Sequence, residues 1–167
     1  MKNLIFGLVL IFLAVSIIFT TFSYISTITG RIIERSPYLS TAGFSPVYVN
    51  ADSENVYLTS GCDQLAMATS ELQAYSIASG LQNLTGERPG THDLIKDTFE
   101  LYEIRVLMVK IDDFRDQTYY AKLLLQQGNR ILNLDSRPSD AIAIAVRFSS
   151  PIYVKNDIMT MHGRRIC

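Results

Sequence analysis

Hydrophobic residues along the chain follow three patterns, and each predicts a different kind of element. Residues 4–28 form one run without a charge, almost wholly apolar in its first two thirds. Further on, short runs alternate apolar and polar positions with a period of two, which is typical of β-strands. Other runs repeat apolar positions at three- and four-residue spacing, which is typical of amphipathic α-helices. The chain therefore combines an N-terminal apolar segment with a domain of strands and helices.

The run over residues 4–28 predicts a membrane anchor, because about 20 apolar residues span a bilayer. It is long for the hydrophobic region of a signal peptide, and no small-x-small cleavage site follows it directly. The predicted organisation is a transmembrane anchor over 1–28, a linker over 29–43 and a folded domain over 44–167. Positive residues flank the run almost equally on both sides. The short N-terminal flank favours a single-pass membrane protein with its domain outside the cytoplasm.

The folded domain is predicted to be α+β, a compact domain of mixed or antiparallel β-sheet with about three helices, preceded by one transmembrane helix. A strand–turn–strand–helix pattern occurs at 56–80 and again at 120–147, with Gly61 and Gly128 at matching positions. An internal β-β-α duplication and the ordinary recurrence of hairpin-and-helix units both explain this pattern. The predicted strands cover 45–50, 55–59, 65–69, 104–111, 118–126, 130–135 and 151–154.

Local signals predict where the first two helices begin and which sides they bury. Ser70 and Gln73 have the spacing of a capping box, and Thr91 is predicted to cap the second helix. Polar residues over 112–117 predict a turn between two strands. The predicted buried positions are Leu72, Tyr75, Ile77, Ala78 and Leu81 in the first helix and Leu94, Ile95, Phe99 and Leu101 in the second.

The segment NLDSRPSDAIAIAV, residues 133–146, joins a predicted strand to a third helix. Pro138 suits the first turn of a helix, where its missing N–H has no partner in any case. Asp140 then falls at the third helical position and complements the helix dipole, and a neighbouring serine supplies a capping hydroxyl. None of this requires Arg137.

The segment ERPGTHDL, residues 87–94, places the same residue types at the start of the second helix, including Arg88, His92 and Asp93. Helix N-termini attract anions, and guanidinium groups bind phosphate with several donors. Two helix starts led by Arg-Pro therefore predict a shared surface that faces an anion. The alternative is that Arg88 and Arg137 only pair with carboxylates of the protein.

Charge and cysteine content limit the functional classes. The domain over 44–167 holds 12 Lys and Arg and 15 Asp and Glu, a formal charge of −3. This argues against tight, sequence-blind binding to DNA, because such binding depends on neutralising phosphates. Cys62 and Cys167 lack metal-ligand spacing and form no disulfide framework by themselves. Free thiols are expected, and pairing of the two stays open.

Several motifs together resemble the bifunctional nuclease domain family. They are RPGTHDL at 88–94, LDSRPSDAIAIAVR at 134–147, PIYV at 151–154, FRDQTYYAKLLL at 114–125 and SELQAYSIASGL at 70–81. The resemblance covers roughly residues 47–158. It implies a compact α+β fold and degradation of both RNA and DNA. Leu72 departs from the pattern, because the family usually has Ala at this position.

The chemistry of phosphodiester hydrolysis suggests a role for each motif residue. It requires proton transfer and stabilisation of developing negative charge. His92 is the candidate acid or base, and Arg88 and Arg137 are candidates for stabilising charge. Asp140 completes the predicted catalytic group.

Carboxylates and basic residues elsewhere supply candidates for binding a metal ion and the substrate. Oxygen ligands favour Mg²⁺ or Mn²⁺, although no recognisable metal motif is present. Tyrosine next to basic residues offers a base-stacking platform for nucleic acid. The predicted metal ligands are Glu71, Asp93 and Asp135, and the predicted substrate-binding residues are Arg115, Tyr119 and Lys122.

Two functions follow from these observations. The first is a membrane-anchored nuclease that hydrolyses RNA or DNA with low sequence specificity, with nucleic acid as its partner and the membrane bound through residues 4–28. The second is a non-catalytic, oligomeric module that binds an anion or a protein partner and is tethered to the membrane. A homo-oligomer is compatible with both.

Overall fold

The computed structural model describes residues 11–25 and 37–167. Contacts divide the chain into two units, Met1–Ser40 and Thr41–Cys167. In the first unit residues 11–25 are helical (α1). Among the described residues, no helix combines the length and apolar character needed to cross a membrane, so the predicted transmembrane helix is not confirmed. The remaining parts of the predicted anchor, and most of the predicted linker, lie outside the described residues.

The second unit contains two β-sheets, in agreement with the predicted α+β class. One sheet has the strand order β1-β8-β5-β6-β7 and is mixed, because β5 and β8 are parallel and its other pairs antiparallel. The other has the order β2-β3-β4-β9 and is antiparallel. The strands are β1 (Phe44–Pro46), β2 (Tyr48–Ala51), β3 (Asn55–Ser60), β4 (Asp63–Ala68), β5 (Arg105–Arg115), β6 (Thr118–Gln127), β7 (Arg130–Ser136), β8 (Ile152–Lys155) and β9 (Arg164–Arg165).

This second unit also contains four α-helices. A short 3₁₀ turn covers Pro37–Leu39 in the first unit. Both hairpins β3–β4 and β6–β7 lead directly into a helix, so the repeated β-β-α pattern is present, one copy in each sheet. The helices are α2 (Glu71–Leu81), α3 (Thr91–Leu101), α4 (Pro138–Arg147) and α5 (Asn156–His162).

Helix α4 lies at the centre of the domain. Its residues 141–145, AIAIA, are all buried and belong to the same core cluster as strands β5, β6 and β8. Helix α2 approaches α4 closely at Gly80, where a Cβ atom would lie 2.7 Å from Val146 Cγ2 and 2.8 Å from Arg147 Nη1. Real Cβ atoms are not found at such distances, so the contact of α2 with α4 depends on glycine at this position.

The helices begin close to the predicted residues, but the predicted capping groups of two helices differ from those in the structure. Ser70 is the N-cap of α2 as predicted, and its Oγ accepts a hydrogen bond from Gln73 N at 3.4 Å. The N-cap of α3 is Gly90 rather than Thr91, because the Asp93 carboxylate accepts from the Gly90 N–H at 2.8 Å. Pro138 begins α4 as predicted, but the N-cap is Arg137 and makes no side-chain capping hydrogen bond; the Ser136 hydroxyl instead donates to the Arg137 carbonyl oxygen at 3.1 Å.

The predicted buried sides of α2 and α3 were partly wrong. Leu72 and Tyr75 are 81% and 65% exposed, and Leu94 and Leu101 are 57% and 76% exposed. Helix α2 instead buries its small-residue side, including Gly80, because that side packs against α4. Apolar spacing alone does not reveal which partner a helix packs against.

The predicted turn over 112–117 and the predicted strand over 45–50 also differ from the structure. Strand β5 extends to Arg115, so only Asp116 and Gln117 form the turn, both with positive φ as a two-residue hairpin requires. Asp112 lies at a register shift of β5 and its burial raises the pKa of the carboxyl. The predicted strand over 45–50 is two strands, β1 and β2, which belong to different sheets.

The C-terminal segment, which the sequence pattern left unassigned, forms α5 and β9. Strand β9 pairs with β4, and Ile166 N donates to Cys62 O at 2.9 Å. This pairing brings Cys167 to Cys62, and the two form a disulfide bond across 105 residues of sequence. The expectation of free thiols was therefore wrong, because the sequence pattern does not reveal that the C-terminal residues pair with β4 beside Cys62.

Candidate active site

A cleft of about 570 Å³ opens between α2, α3 and α4. Both helix starts that begin with Arg-Pro contribute to it, through Arg88 and His92 on one side and Arg137 and Asp140 on the other. Arg147, near the end of α4, also lines it. Apolar side chains complete the walls: Leu72, Tyr75, Leu84, Ile95 and Ile144.

His92 lies between a hydroxyl and a carboxylate. Its Nδ1 is 2.9 Å from Ser76 Oγ, which projects from α2. Its Nε2 is 3.6 Å from Asp140 Oδ1, which projects from the first turn of α4. The side chain of His92 is only 14% exposed. Three helices therefore fix the orientation of the imidazole.

The surroundings of His92 keep the imidazole neutral at neutral pH. Burial lowers the pKa of His92 below its ordinary value of 6.5, and the positive charge of Arg147 lowers it further. The carboxylates of Asp140 and Asp93 act in the opposite direction without reversing the shift. A neutral imidazole can accept a proton, so His92 is suited to act as a general base.

Arg137 faces the cleft while it is held by two neighbours. Its Nε and Nη2 donate to the two carboxylate oxygens of Asp140 at 2.6 and 3.0 Å. The amide of Gln73 lies 3.1 and 3.2 Å from Nη1 and Nη2, and a guanidinium only donates, so the amide oxygen faces it. The Arg137 side chain remains 69% exposed, so its outer face is accessible to an anion.

Arg88 is exposed on the loop before α3. Among the residues that the structure describes, no salt bridge involves its guanidinium. The cleft lining holds three arginines, Arg88, Arg137 and Arg147, against two aspartates, Asp93 and Asp140. One positive charge is therefore left over, which favours an anionic ligand despite the net negative charge of the domain.

Arg147 and Asp93 form the most buried ion pair of the site. Arg147 Nε donates to Asp93 Oδ1 at 2.7 Å, with side chains that are 6% and 18% exposed. Its Nη1 donates to the carbonyl oxygens of Ser76 and Ala143 at 3.0 and 2.8 Å. The hydrogen bond from Arg147 lowers the pKa of Asp93. Arg147 thus joins α2, α3 and α4 around the cleft.

Replacing Arg147 with methionine is expected to lower the free energy of unfolding by about 1.5–3 kcal/mol, because it removes a charge-assisted hydrogen bond between the buried guanidinium and the partly buried Asp93 carboxylate. Denaturant unfolding measures this loss. The matched control is Arg137→Met, whose largely exposed ion pair is expected to contribute at most about 1 kcal/mol. Equal losses in the two variants would contradict the structural role given to Arg147.

Sequence reasoning overlooked Ser76 and Arg147. Ser76 lies within a helix and carries no motif signal, and Arg147 lies at the end of α4, where a cation complements the helix dipole without any other function. Ser76 and Arg147 are 71 residues apart in sequence. One signal was available: Gly80 among small residues of α2, together with the alanine-rich α4, indicates a close helix contact that brings Arg147 to Ser76.

Several predicted site residues lie elsewhere. Lys122 Nζ pairs with Asp135 Oδ1 at 2.7 Å on neighbouring strands. Ala121 and Leu123 point into the core, so Lys122 points to the opposite face of the sheet, away from α4. The lysine and aspartate are therefore not part of the cleft.

Arg115 and Glu71 also stay outside the cleft lining. The Arg115 guanidinium pairs with Asp113 at 2.7 Å and lies 4.2 Å from the centre of the Tyr120 ring. Glu71 is the exposed first residue of α2.

A second cavity of about 310 Å³ adjoins the first, since both are lined by Gln73 and Arg137. Tyr119 lines this second cavity together with Thr118 and Met67. The Tyr119 ring packs at 4.5 Å from the ring of Phe114, and burial raises the pKa of its hydroxyl. Of the three predicted substrate-binding residues, Tyr119 therefore has access to a cavity beside the cleft.

The predicted metal ligands do not fit a common metal site. Asp93 is occupied by Arg147 and by the Gly90 N–H, and Asp135 is occupied by Lys122. Among the described residues, no three His, Cys, Asp or Glu side chains form a group that could hold a metal ion. We therefore assign no metal-binding role to Glu71, Asp93 and Asp135 together.

Comparison with known proteins gives the cleft a family context. A protein of Mycobacterium tuberculosis without a characterised function is 36% identical over 91 residues, which is 54% of this chain and 54% of that protein. Bifunctional nuclease 1 of Oryza sativa subsp. indica is 30% identical over 105 residues, which is 61% of this chain and 32% of the rice protein. Bifunctional nuclease 1 of Arabidopsis thaliana is 29% identical over 99 residues, 58% of this chain and 30% of the plant protein.

The chain thus spans about half the length of the mycobacterial relative and about a third of the plant relatives that it matches. The family model of the bifunctional nuclease domain matches residues 58–166. That range contains α2, α3 and α4, the helices that line the cleft. With most of its folded unit matched in this way, the chain belongs to the bifunctional nuclease domain family.

Proposed function

We propose that the cleft between α2, α3 and α4 hydrolyses phosphodiester bonds in RNA, DNA or both. The observation that carries this proposal is the position of His92, which is held between Ser76 and Asp140 and flanked by the exposed guanidinium groups of Arg88 and Arg137. The names of the plant relatives support the same activity.

Each group in the cleft has a chemical role in this reaction. Arg137 and Arg88 bind the anionic phosphate, and their charge stabilises the additional negative charge of the transition state. His92 accepts a proton from the attacking group and returns it to the leaving oxygen. Asp140 faces His92 Nε2 through Oδ1 and stabilises the imidazolium while it exists, and both of its carboxylate oxygens accept from Arg137 and orient it.

The substrate is proposed to be a flexible, single-stranded nucleic acid bound with low sequence specificity. A strand lying with its phosphate at Arg137 brings the neighbouring nucleotide to the second cavity, where Tyr119 offers an aromatic surface. The domain charge of −3 makes binding weak and dependent on salt. The participation of Mg²⁺ or Mn²⁺ is also proposed, without Glu71, Asp93 and Asp135 as the ligands of the ion.

We propose that the domain works outside the cytoplasm and is attached to the membrane through residues 4–28. The charge-free run supports attachment, and the disulfide between Cys62 and Cys167 supports an oxidising compartment. Labelling with a reagent that does not cross membranes tests the location: a cysteine introduced at exposed Asn129 reacts in intact cells if the domain lies outside.

A second candidate function is the non-catalytic, oligomeric binding module. The exposed apolar rim of the cleft favours it, since Leu72, Tyr75 and Leu84 are 81%, 65% and 57% exposed. Large exposed apolar groups often mark contacts with another molecule. Under this alternative, alanine at Arg88 or Arg137 weakens assembly or ligand binding and no bond is cleaved.

A panel of substrates decides between the two functions. The purified full chain is incubated with single-stranded RNA, single-stranded DNA, double-stranded DNA and a phosphomonoester, each with Mg²⁺, with Mn²⁺ and with a chelator. Hydrolysis of the phosphodiesters with little hydrolysis of the monoester supports the nuclease. Binding without cleavage under every condition supports the binding module.

The pH dependence of cleavage is expected to reflect His92. Because burial and Arg147 lower its pKa, kcat/KM is expected to be constant near neutral pH and to fall on acidification with a midpoint below 6.5. Asp140→Asn removes a carboxylate that favours the imidazolium, so it is expected to move this midpoint to still lower pH. Initial rates across a pH series measure both effects. A midpoint above 6.5 in the unmodified chain would show that another group controls the rate.

A further inference from the structure

Ser76 lies between a base and a cation in the cleft. Its Oγ is 2.9 Å from His92 Nδ1, and Arg147 Nη2 approaches the same oxygen at 3.4 Å. His92 Nε2 faces Asp140 Oδ1 at 3.6 Å. The order of carboxylate, imidazole and hydroxyl is the arrangement by which enzymes activate a serine for nucleophilic attack.

We propose that Ser76 is the nucleophile of the phosphodiester hydrolysis, so that the reaction passes through a covalent intermediate on its Oγ. This inference rests on the proposed function and names the group that attacks phosphorus. It makes Ser76 a catalytic residue, and not one that only positions His92.

The hydrogen-bond directions favour attack by Ser76. Arg147 has only donors, so Ser76 Oγ accepts from it and keeps its own proton for another partner. His92 Nδ1 lies within hydrogen-bond distance of this hydroxyl, and the tautomer that accepts its proton there carries the imidazole proton on Nε2, facing the Asp140 carboxylate. The lone pair of His92 therefore points at the serine hydroxyl rather than into the open cleft.

The cation beside Ser76 favours the same role. As the hydroxyl loses its proton, negative charge develops on Oγ, and the guanidinium of Arg147 stabilises that charge. Arg147 is held in place by Asp93 and by the carbonyl oxygens of Ser76 and Ala143, so it needs no rearrangement during the reaction. Ser76 is half-buried and lines the cleft, so a phosphate bound there can reach it.

The reaction takes place in two balanced steps. In the first, Ser76 Oγ bonds to phosphorus, the bond from phosphorus to the leaving sugar oxygen breaks, and the hydroxyl proton passes through His92 Nδ1 to that oxygen. In the second, a water molecule attacks phosphorus and gives a proton to His92. The bond from phosphorus to Oγ then breaks, and the proton returns to Ser76. Only water is consumed.

The stereochemical course at phosphorus tests the inference directly. A dinucleotide with one chiral phosphorothioate linkage is hydrolysed by the full chain in ¹⁸O-labelled water, and ³¹P NMR identifies the product configuration. Two successive displacements predict retention of configuration. Inversion would show direct attack by water and would overturn the proposal.

Variants and a chemical label give independent readouts. Ser76→Ala is expected to lower kcat by at least about 100-fold, in the range found when a catalytic group is removed. The control is Thr98→Ala, which removes a helix hydroxyl that donates to Leu94 O and does not line the cleft, and this variant is expected to keep its rate and its thermal midpoint. A fluorophosphonate reagent is expected to modify Ser76, and His92→Ala is expected to prevent the modification, as read by peptide mass spectrometry.

The outcomes separate the two proposals. Cleavage with inversion and an unmodified Ser76 overturns the nucleophile and leaves the nuclease proposal standing. A modified Ser76 in a chain that cleaves no phosphodiester shows that the serine is reactive, but it overturns the nuclease and, with it, the role of Ser76 in phosphodiester hydrolysis. If Ser76→Ala unfolds the domain, the stereochemical result in the unmodified chain still decides the question.

Discussion

Replacing His92 with alanine is expected to lower kcat for phosphodiester cleavage by about 10²- to 10⁴-fold, the usual contribution of a general acid or base. The imidazole is the group in the cleft whose pKa is shifted in the direction that favours a neutral base. Steady-state rates on a labelled oligonucleotide measure the loss. The KM is expected to change little, because Arg88 and Arg137 carry the binding of the phosphate.

The second histidine supplies the matched control. His162 packs against the rings of Phe114 and Tyr119 at centroid distances of 4.2 and 6.1 Å and does not line the cleft. His162→Ala is therefore expected to leave kcat within a few-fold of the unmodified value. Thermal unfolding of both variants shows whether the fold is kept. Similar losses of activity in the two would contradict the assignment of His92.

Removing the disulfide is expected to lower the free energy of unfolding by about 4–5 kcal/mol, which is what the loop-closure argument gives for a loop of roughly 100 residues. Cys62 and Cys167 close a loop of 105 residues, so the crosslink strongly restricts the unfolded chain. Denaturant unfolding of the Cys62→Ser, Cys167→Ser double variant measures the effect. The protein is prepared from an oxidising compartment.

Reductant provides the control for the disulfide. It is expected to reduce the stability of the unmodified chain to that of the double variant and to leave the double variant unchanged. Two free thiols per chain, titrated under denaturing and non-reducing conditions, would show that the bond does not form. In that case the support for an oxidising compartment would also be lost.

Local chemistry made the helix starts predictable from sequence. Pro138 begins α4 as predicted, and Asp140 takes the third helical position. Ser70 caps α2 through a hydrogen bond with Gln73, which is only three residues away in sequence. The motifs led by Arg88 and Arg137 indicated a common surface, and the structure places both residues in one cleft. These features depend on neighbours in sequence or on a motif, so one sequence contains enough information to find them.

Features that depend on distant partners were not predictable in the same way. The contact of Ser76 with Arg147 spans 71 residues, and the contact of Cys62 with Cys167 spans 105. Neither follows from hydrophobic spacing, because each requires the packing of α2 on α4 or of β9 on β4. The exposure of Leu72 has the same origin, since α2 turns its small-residue side towards α4.

Two of the metal ligands predicted from composition have basic partners in the structure. Asp93 and Asp135 each have a basic partner, at 2.7 Å in both cases, which their sequence neighbourhoods do not reveal. A carboxylate that already pairs with arginine or lysine is a poor ligand for a cation, because binding the metal breaks the ion pair. The substrate panel with Mg²⁺, with Mn²⁺ and with a chelator tests whether metal ions take part in the reaction.

The most direct test of the central claim is whether phosphodiesterase activity belongs to this chain. The purified full chain is fractionated by size-exclusion chromatography, and each fraction is assayed for cleavage of a labelled single-stranded oligonucleotide. The account predicts that activity follows the protein peak at constant specific activity. Activity that elutes apart from the chain, or a protein peak that cleaves nothing under any metal condition, would contradict it.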